Sequence, residues 1–470
     1  MKIVIVGAGD AGFELTKRLV IENKDVIVIE KDPDVASRVS KQLDCKVVTG
    51  PGNRMEILSQ AGIDKADFFI SVTGSDEVNI ITCGMVYKTF NVGFTIAGVK
   101  NIDYFGTKGA DKTFPGIDFI VNPDIEAARK IIEIINSGAS SEIIIFEQGE
   151  NQMKNIVVSK ESFMNGIAVK ELWQRLQANF LIAGIEKSDS FVIPTGDTVI
   201  NEEDKIYFIA SIDELEKIFQ IMGQPPIEIR DVLIVGGSNV AIYVAEHLLN
   251  ANSKNPSAIN RVLGDFNGGK RNYKIKNMKI IDSDYEKCKE LSDRFPEAVV
   301  IEADISDETI IAEEGLDNFD LVIMATKNYE LNILAALYLK TVGVERAISL
   351  LKHKNYMHMA SKLGVDAIVS SRDSISNPIL KLIRRGNIMS IHSISGGDAE
   401  IMEFHLEKNN KLAGKKIMDH SFPAHSLILS VVRDGKCIIP HGDLEILAGD
   451  HVIIIAQKDQ VEKIETMVVG

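Results

Sequence analysis

The chain repeats itself, and no other feature narrows its folding options so far. Residues 62–80, GIDKADFFISVTGSDEVNI, align without gaps on residues 315–333, GLDNFDLVIMATKNYELNI. The alignment pairs Gly62 with Gly315, Asp67 with Asp320, Thr73 with Thr326, Glu77 with Glu330 and Asn79 with Asn332. Upstream, KIVIVGAGDAG (2–12) resembles DVLIVGGSNVA (231–241), and downstream GIDFIV (116–121) resembles GVDAIV (364–369). VIPTGD (192–197) likewise resembles IIPHGD (438–443), and Asp204 matches Asp450. A chain of 470 residues exceeds the ~100–150 residues typical of one domain. The repeat therefore predicts four domains in the order A-B-A-B, with A at 1–138 and 229–386 and B at 139–224 and 387–470.

Within each A unit, apolar runs alternate with amphipathic stretches, the pattern of a parallel sheet flanked by helices. Lys2 to Val6, Asp25 to Glu30, Lys46 to Thr49, Phe68 to Val72, Phe94 to Val99 and Phe119 to Val121 read as strands. The B units carry short β-branched runs, Glu142 to Phe146, Lys205 to Ile209 and His451 to Ile455 among them, and each closes on an amphipathic helix. The expected fold class is α/β, two Rossmann-like parallel-sheet domains each followed by a small α/β domain. Pro225-Pro226, after Gly223, marks the linker between the halves, and the extra length of the second A unit falls near Asn252 to Asn272 as a surface insertion.

Directly after the first strand, GAGDAG supplies Gly7, Gly9 and Gly12, with Ala8, Asp10 and Ala11 between them. In a strand–turn–helix context the first glycine permits the tight turn, the second clears the way to a pyrophosphate, and the third lets helix and strand pack closely. N–H groups at the helix start then face the phosphates. Glu30 ends the second strand, where a carboxylate can accept from both ribose hydroxyls, which favours NAD(H) or an adenine nucleotide over a 2′-phosphorylated one. A turn that merely packs is the competing reading.

The second turn reads Gly236, Gly237, Ser238, Asn239, Val240, Ala241. Serine at the middle position is expected to place a side chain toward the pyrophosphate and weaken the site, while Asp282 still offers a ribose acceptor. Thr73, followed by Gly74, and Thr326 end the fourth strands, either as ligand contacts or as helix caps. Lys100 and Lys352 end the fifth strands, either neutralising a phosphate or standing as solvated termini.

Several function classes recede. A net charge of −15 argues against a broad polyanion-binding surface, so nucleic acid is not an expected partner. Cys45, Cys83, Cys288 and Cys437 form no C-x-x-C pair and suit a reducing compartment. The most apolar stretch, Ile80 to Val99, is broken by Lys88 and Asn91, short of the ~20 apolar residues a spanning helix needs. No signal-peptide core follows Met1. The first B unit has no histidine, and His392, His405, His420, His425, His441 and His451 of the second lack metal or catalytic spacing.

GAGDAG with Glu30, the repeated T-x-x-x-E-x-N and the I-x-P-x-G-D of the small domains together resemble the RCK family of potassium-conductance regulators, also called KTN, built of TrkA-N and TrkA-C domains. The resemblance spans residues 1 to 470. It implies a cytoplasmic, non-enzymatic subunit, peripheral on the inner face of the plasma membrane. It further implies NAD(H) or ATP/ADP as cofactor, a homo-oligomer, and an integral-membrane potassium transporter subunit of the Trk type as partner. The family usually carries an Asp after Gly50; Pro51 stands there in the first half, whereas the second keeps Asp304 as a cofactor contact. An NAD-dependent oxidoreductase and a nucleotide-binding scaffold for another partner are the alternatives.

Overall fold

The structure, a computed structural model, describes residues 1–104, 114–136, 144–146, 151–188, 190–223, 229–250, 275–352, 359–360, 363–383, 388–394, 398–408 and 410–469. The expected Pro225-Pro226 linker and the insertion near 252–272 lie outside the described residues.

The first A domain runs β1 (Lys2–Val6), α1 (Asp10–Ile21), β2 (Asp25–Glu30), α2 (Pro33–Gln42), β3 (Lys46–Thr49), α3 (Met55–Gln60), β4 (Phe68–Ser71), α4 (Asp76–Thr89), β5 (Phe94–Gly98), β6 (Phe119–Val121) and α5 (Pro123–Asn136). Its strands are parallel in the order β3-β2-β1-β4-β5-β6. Both faces of such a sheet are covered, so central strands read as unbroken apolar runs. In KIVIV, Ile3 and Ile5 enter one core layer and Val4 and Val6 the other.

The first B domain has β7 (Ile144–Ile145), β8 (Asn151–Val157), α6 (Val169–Leu176), β9 (Leu181–Lys187), β10 (Ser190–Val192), β11 (Lys205–Ser211) and α7 (Ile212–Ile221), with the sheet order β10-β9-β11-β8-β7, antiparallel throughout. The second A domain repeats the first as β12 (Asp231–Val235), α8 (Asn239–Asn250), β13 (Asn277–Asp282), α9 (Tyr285–Arg294), β14 (Val299–Glu302), α10 (Glu308–Glu313), β15 (Leu321–Met324), α11 (Tyr329–Val342), β16 (Arg346–Leu351), β17 (Ala367–Ser370) and α12 (Ser371–Ile383), in the same strand order. The second B domain follows with β18 (Ile388–Ile394), β19 (Ala399–His405), β20 (Lys415–Lys416), β21 (Ser426–Arg433), β22 (Lys436–Ile438), β23 (Glu445–Ile446), β24 (His451–Gln457) and α13 (Val461–Val469).

The chain divides into two units, one holding both A domains and the other both B domains. In the A unit the last helix of each domain crosses to its sister. Ile375, Ile379, Leu380 and Ile383 of α12 complete the core layer formed by Leu15 and Leu19 of α1 over the first sheet. Reciprocally, α5 packs on α8 and β17 of the second domain. In the B unit the two sheets share an apolar layer, with Met153, Phe191 and Ile209 from one domain and Ile401, Leu429 and Ile455 from the other. Asn151 donates from its amide to Ser430 Oγ at 3.0 Å across that layer.

The repeated asparagine of T-x-x-x-E-x-N is structural. Asn79 is 1% exposed; its Oδ1 accepts from the Thr73 N–H (2.8 Å), Thr73 Oγ1 (2.7 Å) and Ser71 Oγ (3.0 Å), and its Nδ2 donates to Gly98 O (2.7 Å). Asn332 makes the equivalent bonds to Thr326 and Leu350. Each asparagine thus ties the ends of the fourth and fifth strands together at the carboxyl edge of the sheet. Removing the amide leaves buried backbone groups without partners, each of which carries a desolvation penalty. Asn79→Ala is expected to lower stability by about 2 kcal/mol, measured as a shifted chemical-denaturation transition; an unshifted transition would mean the network contributes nothing.

Candidate functional site

The two glycine turns are built alike. Gly7 sits at φ +96° and Gly236 at φ +100°, where a Cβ would lie 2.9 Å from Val72 O and 2.7 Å from the Thr326 backbone respectively. Gly12 lets α1 approach β1 so closely that a Cβ there would meet Gly7 O; Ala241 fills the matching place, 2% exposed. Glu30 is 8% exposed and braces the first turn, its Oε2 accepting the Ala8 N–H at 2.6 Å and its Oε1 the Asp32 N–H at 3.0 Å. Asp282 does the same in the second half, accepting from Gly237 N at 2.5 Å and Asp284 N at 2.9 Å. Each carboxylate oxygen retains a further lone pair for a ligand hydroxyl.

The turns differ at the helix start. Gly9 caps α1 with no side-chain hydrogen bond, so the start of the helix carries no side-chain cap from that residue, an arrangement suited to an anion. Ser238 was expected to project toward a pyrophosphate. Instead its Oγ accepts from the Ala241 N–H at 3.3 Å, capping α8 in the manner serine favours at this position. One donor that could serve an anion at the second turn is already occupied.

A cavity of about 670 Å³ is lined from the first domain by Gly9, Asp10, Ala11, Thr73, Gly74 and Lys100. From the second domain it is lined by Ser238, Asn239, Val240, Thr326 and Lys352, so it is shared between the two A domains. Glu30, Gly7, Ala8 and Gly12 stand behind the turn rather than in this lining. A second cavity of about 450 Å³ gathers Gly236, Gly237, Ser238, Asp282, Asp304 and Thr326. Asp304 accepts from the backbone N–H and hydroxyl of Ser306, which hold its carboxyl below the ordinary range. Lys352 is absent from the lining of that second cavity; its ammonium pairs with Asp10 Oδ2 of the first domain at 2.9 Å. Asn239 also crosses over, donating to Asp124 Oδ2 at 3.1 Å.

The cap role considered for Thr73 and Thr326 belongs to their neighbours. Ser75 Oγ accepts from Val78 N and Asn328 Oδ1 from Leu331 N, while both threonine hydroxyls are directed at Asn79 and Asn332. Glu77 accepts from Ser75 Oγ at 2.7 Å, a bond that, with the Tyr104 hydroxyl, lowers its pKa. Sequence spacing also missed the pairing of His405 with His451, neighbours across β19 and β24 with ring centroids 4.5 Å apart. Burial and the neighbouring His405 push the His451 pKa down. No group of three or more potential metal ligands occurs among the described residues, and no described helix is long and apolar enough to cross a membrane.

Comparison with known proteins places these features in a family. The TrkA-N domain model matches residues 3–123 and 269–371, and the TrkA-C domain model matches 155–223 and 401–468. The Trk system potassium uptake protein TrkA homolog of Archaeoglobus fulgidus is 30% identical over 465 residues, 99% of each chain. TrkA homolog 1 of Methanosarcina mazei is 29% identical over 99% of each chain, and TrkA of Halomonas elongata 28% identical over 99% of this chain and 98% of its own. Among solved structures, the GsuK channel matches with a TM-score of 0.57 at 18% identity, covering 99% of this chain and 78% of that one. The GsuK channel bound to NAD matches at 0.55 and 17%, with the same coverage. The GsuK RCK domain matches at 0.55 and 18%, covering 99% of this chain and 94% of that one. These likenesses establish the fold, and with the tandem domain matches and the full-length relatives they lead to one assignment: the chain belongs to the TrkA family of Trk-system potassium uptake proteins, two TrkA-N and two TrkA-C domains in alternation.

Proposed function

We propose that this chain is the nucleotide-binding regulatory subunit of a Trk-type potassium uptake system. It gates an integral-membrane transporter subunit in response to NAD(H) or ATP/ADP. The observation that carries the reading is the first glycine turn, where an uncapped helix start opens on a cavity while a buried carboxylate, Glu30, waits behind it. The helix start suits phosphates, and Glu30, outside the lining of that cavity, stands at the strand end where such folds place a ribose acceptor. The names of the relatives point to potassium uptake, and NAD is bound by a channel of the same fold.

The role is sensing rather than chemistry. The relatives are named for potassium uptake rather than for a reaction, which supports sensing over chemistry in clefts whose described lining includes Lys, Asp, Thr and Tyr329. A ligand that gates transport must bind two arrangements of the protein unequally. In this reading the subunit works as a homo-oligomer on the cytoplasmic face of the membrane, attached through its transporter partner.

Calorimetric titration of the full chain with NADH, NAD, ATP and ADP tests the first site. Gly9→Val, which puts a branched side chain where the cavity is now open, and Glu30→Ala are each expected to weaken binding by at least about tenfold. Unchanged affinity in both would show the site to be misplaced. At the second turn, Ser238→Gly releases the Ala241 N–H and is expected to tighten the second binding event several-fold; equal or weaker binding there would contradict the role given to the serine cap.

A further inference from the structure

Residues directly opposite each other on antiparallel strands hold their Cβ atoms about 4.5–5.5 Å apart, close enough for their side chains to act together. β19 and β24 are such neighbours, and their register sets His405, at the end of one, opposite His451, at the start of the other. The two rings have centroids 4.5 Å apart and planes inclined at 40°, and both residues are half-buried. Nδ1 of His405 is buried without a hydrogen-bond partner, a placement that carries a desolvation penalty.

The sheet does not require imidazoles here. In the first B domain β8 and β11 pair in the same way, and Val157 and Lys205 stand as the matching cross-strand pair at the ends of their strands. An aliphatic chain and an ammonium hold the same register that two histidines hold in the second domain. The pair therefore belongs to one half of the repeat and answers no need of the fold.

We infer that His405 and His451 together form a chelating site for one Zn²⁺ ion. Neutral imidazole is the commonest protein ligand for ions of this borderline softness. Each ring offers a lone pair, and Zn–N bonds of about 2.0–2.1 Å let two rings this close share one ion. Coordination is also one way in which a buried polar atom without a hydrogen bond is satisfied. Asp450, next along the chain, does not join them. It is 1% exposed, and its carboxylate accepts from Arg433 Nε and Nη2 at 2.8 Å each and from the Leu447 N–H at 2.7 Å.

The described residues thus supply two ligands and leave the remaining positions to water. Such a site is open and exchangeable, unlike the four-ligand sites that hold structural zinc. An ion held there clasps β19 to β24 and stabilises the second B domain by an amount that grows with its free concentration. This is a response to metal supply, made in a different unit from the glycine turns and independent of them.

The test uses the full chain, stripped of metal with a chelator, and Zn²⁺ as the probe, followed by hydrogen-exchange mass spectrometry. Zn²⁺ should slow amide exchange in β19 and β24, whereas Mg²⁺ and Ca²⁺, which prefer oxygen ligands, should leave it unchanged. His405→Gln and His451→Gln should each raise the Zn²⁺ concentration needed at least about tenfold, since groups that merely support a metal ligand are already worth about 10- to 100-fold. His441→Gln, a change at an exposed histidine outside the pair, should respond like the parent. Metal-free thermal transitions establish that each variant is folded, and the contrast between Zn²⁺ and Mg²⁺ in the parent tests the site without any variant. Protection that survives both substitutions unchanged, equal protection by Mg²⁺, or none in the parent even in millimolar Zn²⁺ would overturn the assignment.

Discussion

The packing of α12 onto the first Rossmann sheet, answered by α5 on α8, is the constraint from which the A unit follows. Ile375, Ile379, Leu380 and Ile383 are each at most 5% exposed, and burying a side chain of that kind is worth about 1.5–3 kcal/mol. Four of them make the exchange a major part of the core rather than a surface contact. Neither A domain closes its own core, so neither can move without altering the other's apolar face. The same exchange brings residues of the two glycine turns to one cavity.

The coupling is asymmetric, and the asymmetry is chemical. At the first turn, glycine leaves the helix start open and Asp10 adds a negative charge that Lys352 offsets. At the second turn, serine caps the helix and asparagine replaces the acid. The first turn is therefore uncapped by a side chain and paired across the domains through Asp10, and the second is capped by Ser238 and adjoins Asp304. Two turns so unlike suit the proposed sensing of nucleotide identity, because a ligand shifts a conformational balance only through unequal affinity for the states.

Much of this was legible in the sequence for physical reasons. A parallel strand covered on both faces writes itself as an unbroken apolar run, so KIVIV and DVIVIE could be placed as β1 and β2, and Glu30 could be placed at the strand end from its spacing to Gly12. The strand ends expected at Val72 and Val99 fall one residue earlier, at Ser71 and Gly98. The helix exchange was not legible, because an apolar face on α12 records that it is buried and not which sheet buries it. The cap formed by Ser238 and the reach of Lys352 depend on rotamers and on the approach of a domain remote in sequence. The recurrence of Asn79 and Asn332 signalled importance without its kind, and their hydrogen bonds show that kind to be structural.

Potassium flux is the measurement closest to the mechanism. With the chain and a Trk-type transporter reconstituted in vesicles, uptake is followed in NAD, NADH, ATP and ADP in turn, for the wild type and for a Glu30→Ala, Asp282→Ala double variant that removes the two carboxylates proposed as ribose acceptors. Nucleotide binding as the control of transport predicts uptake that changes with the nucleotide in the wild type and loses that dependence in the variant. Uptake indifferent to every nucleotide, or equally responsive in the variant, would contradict it.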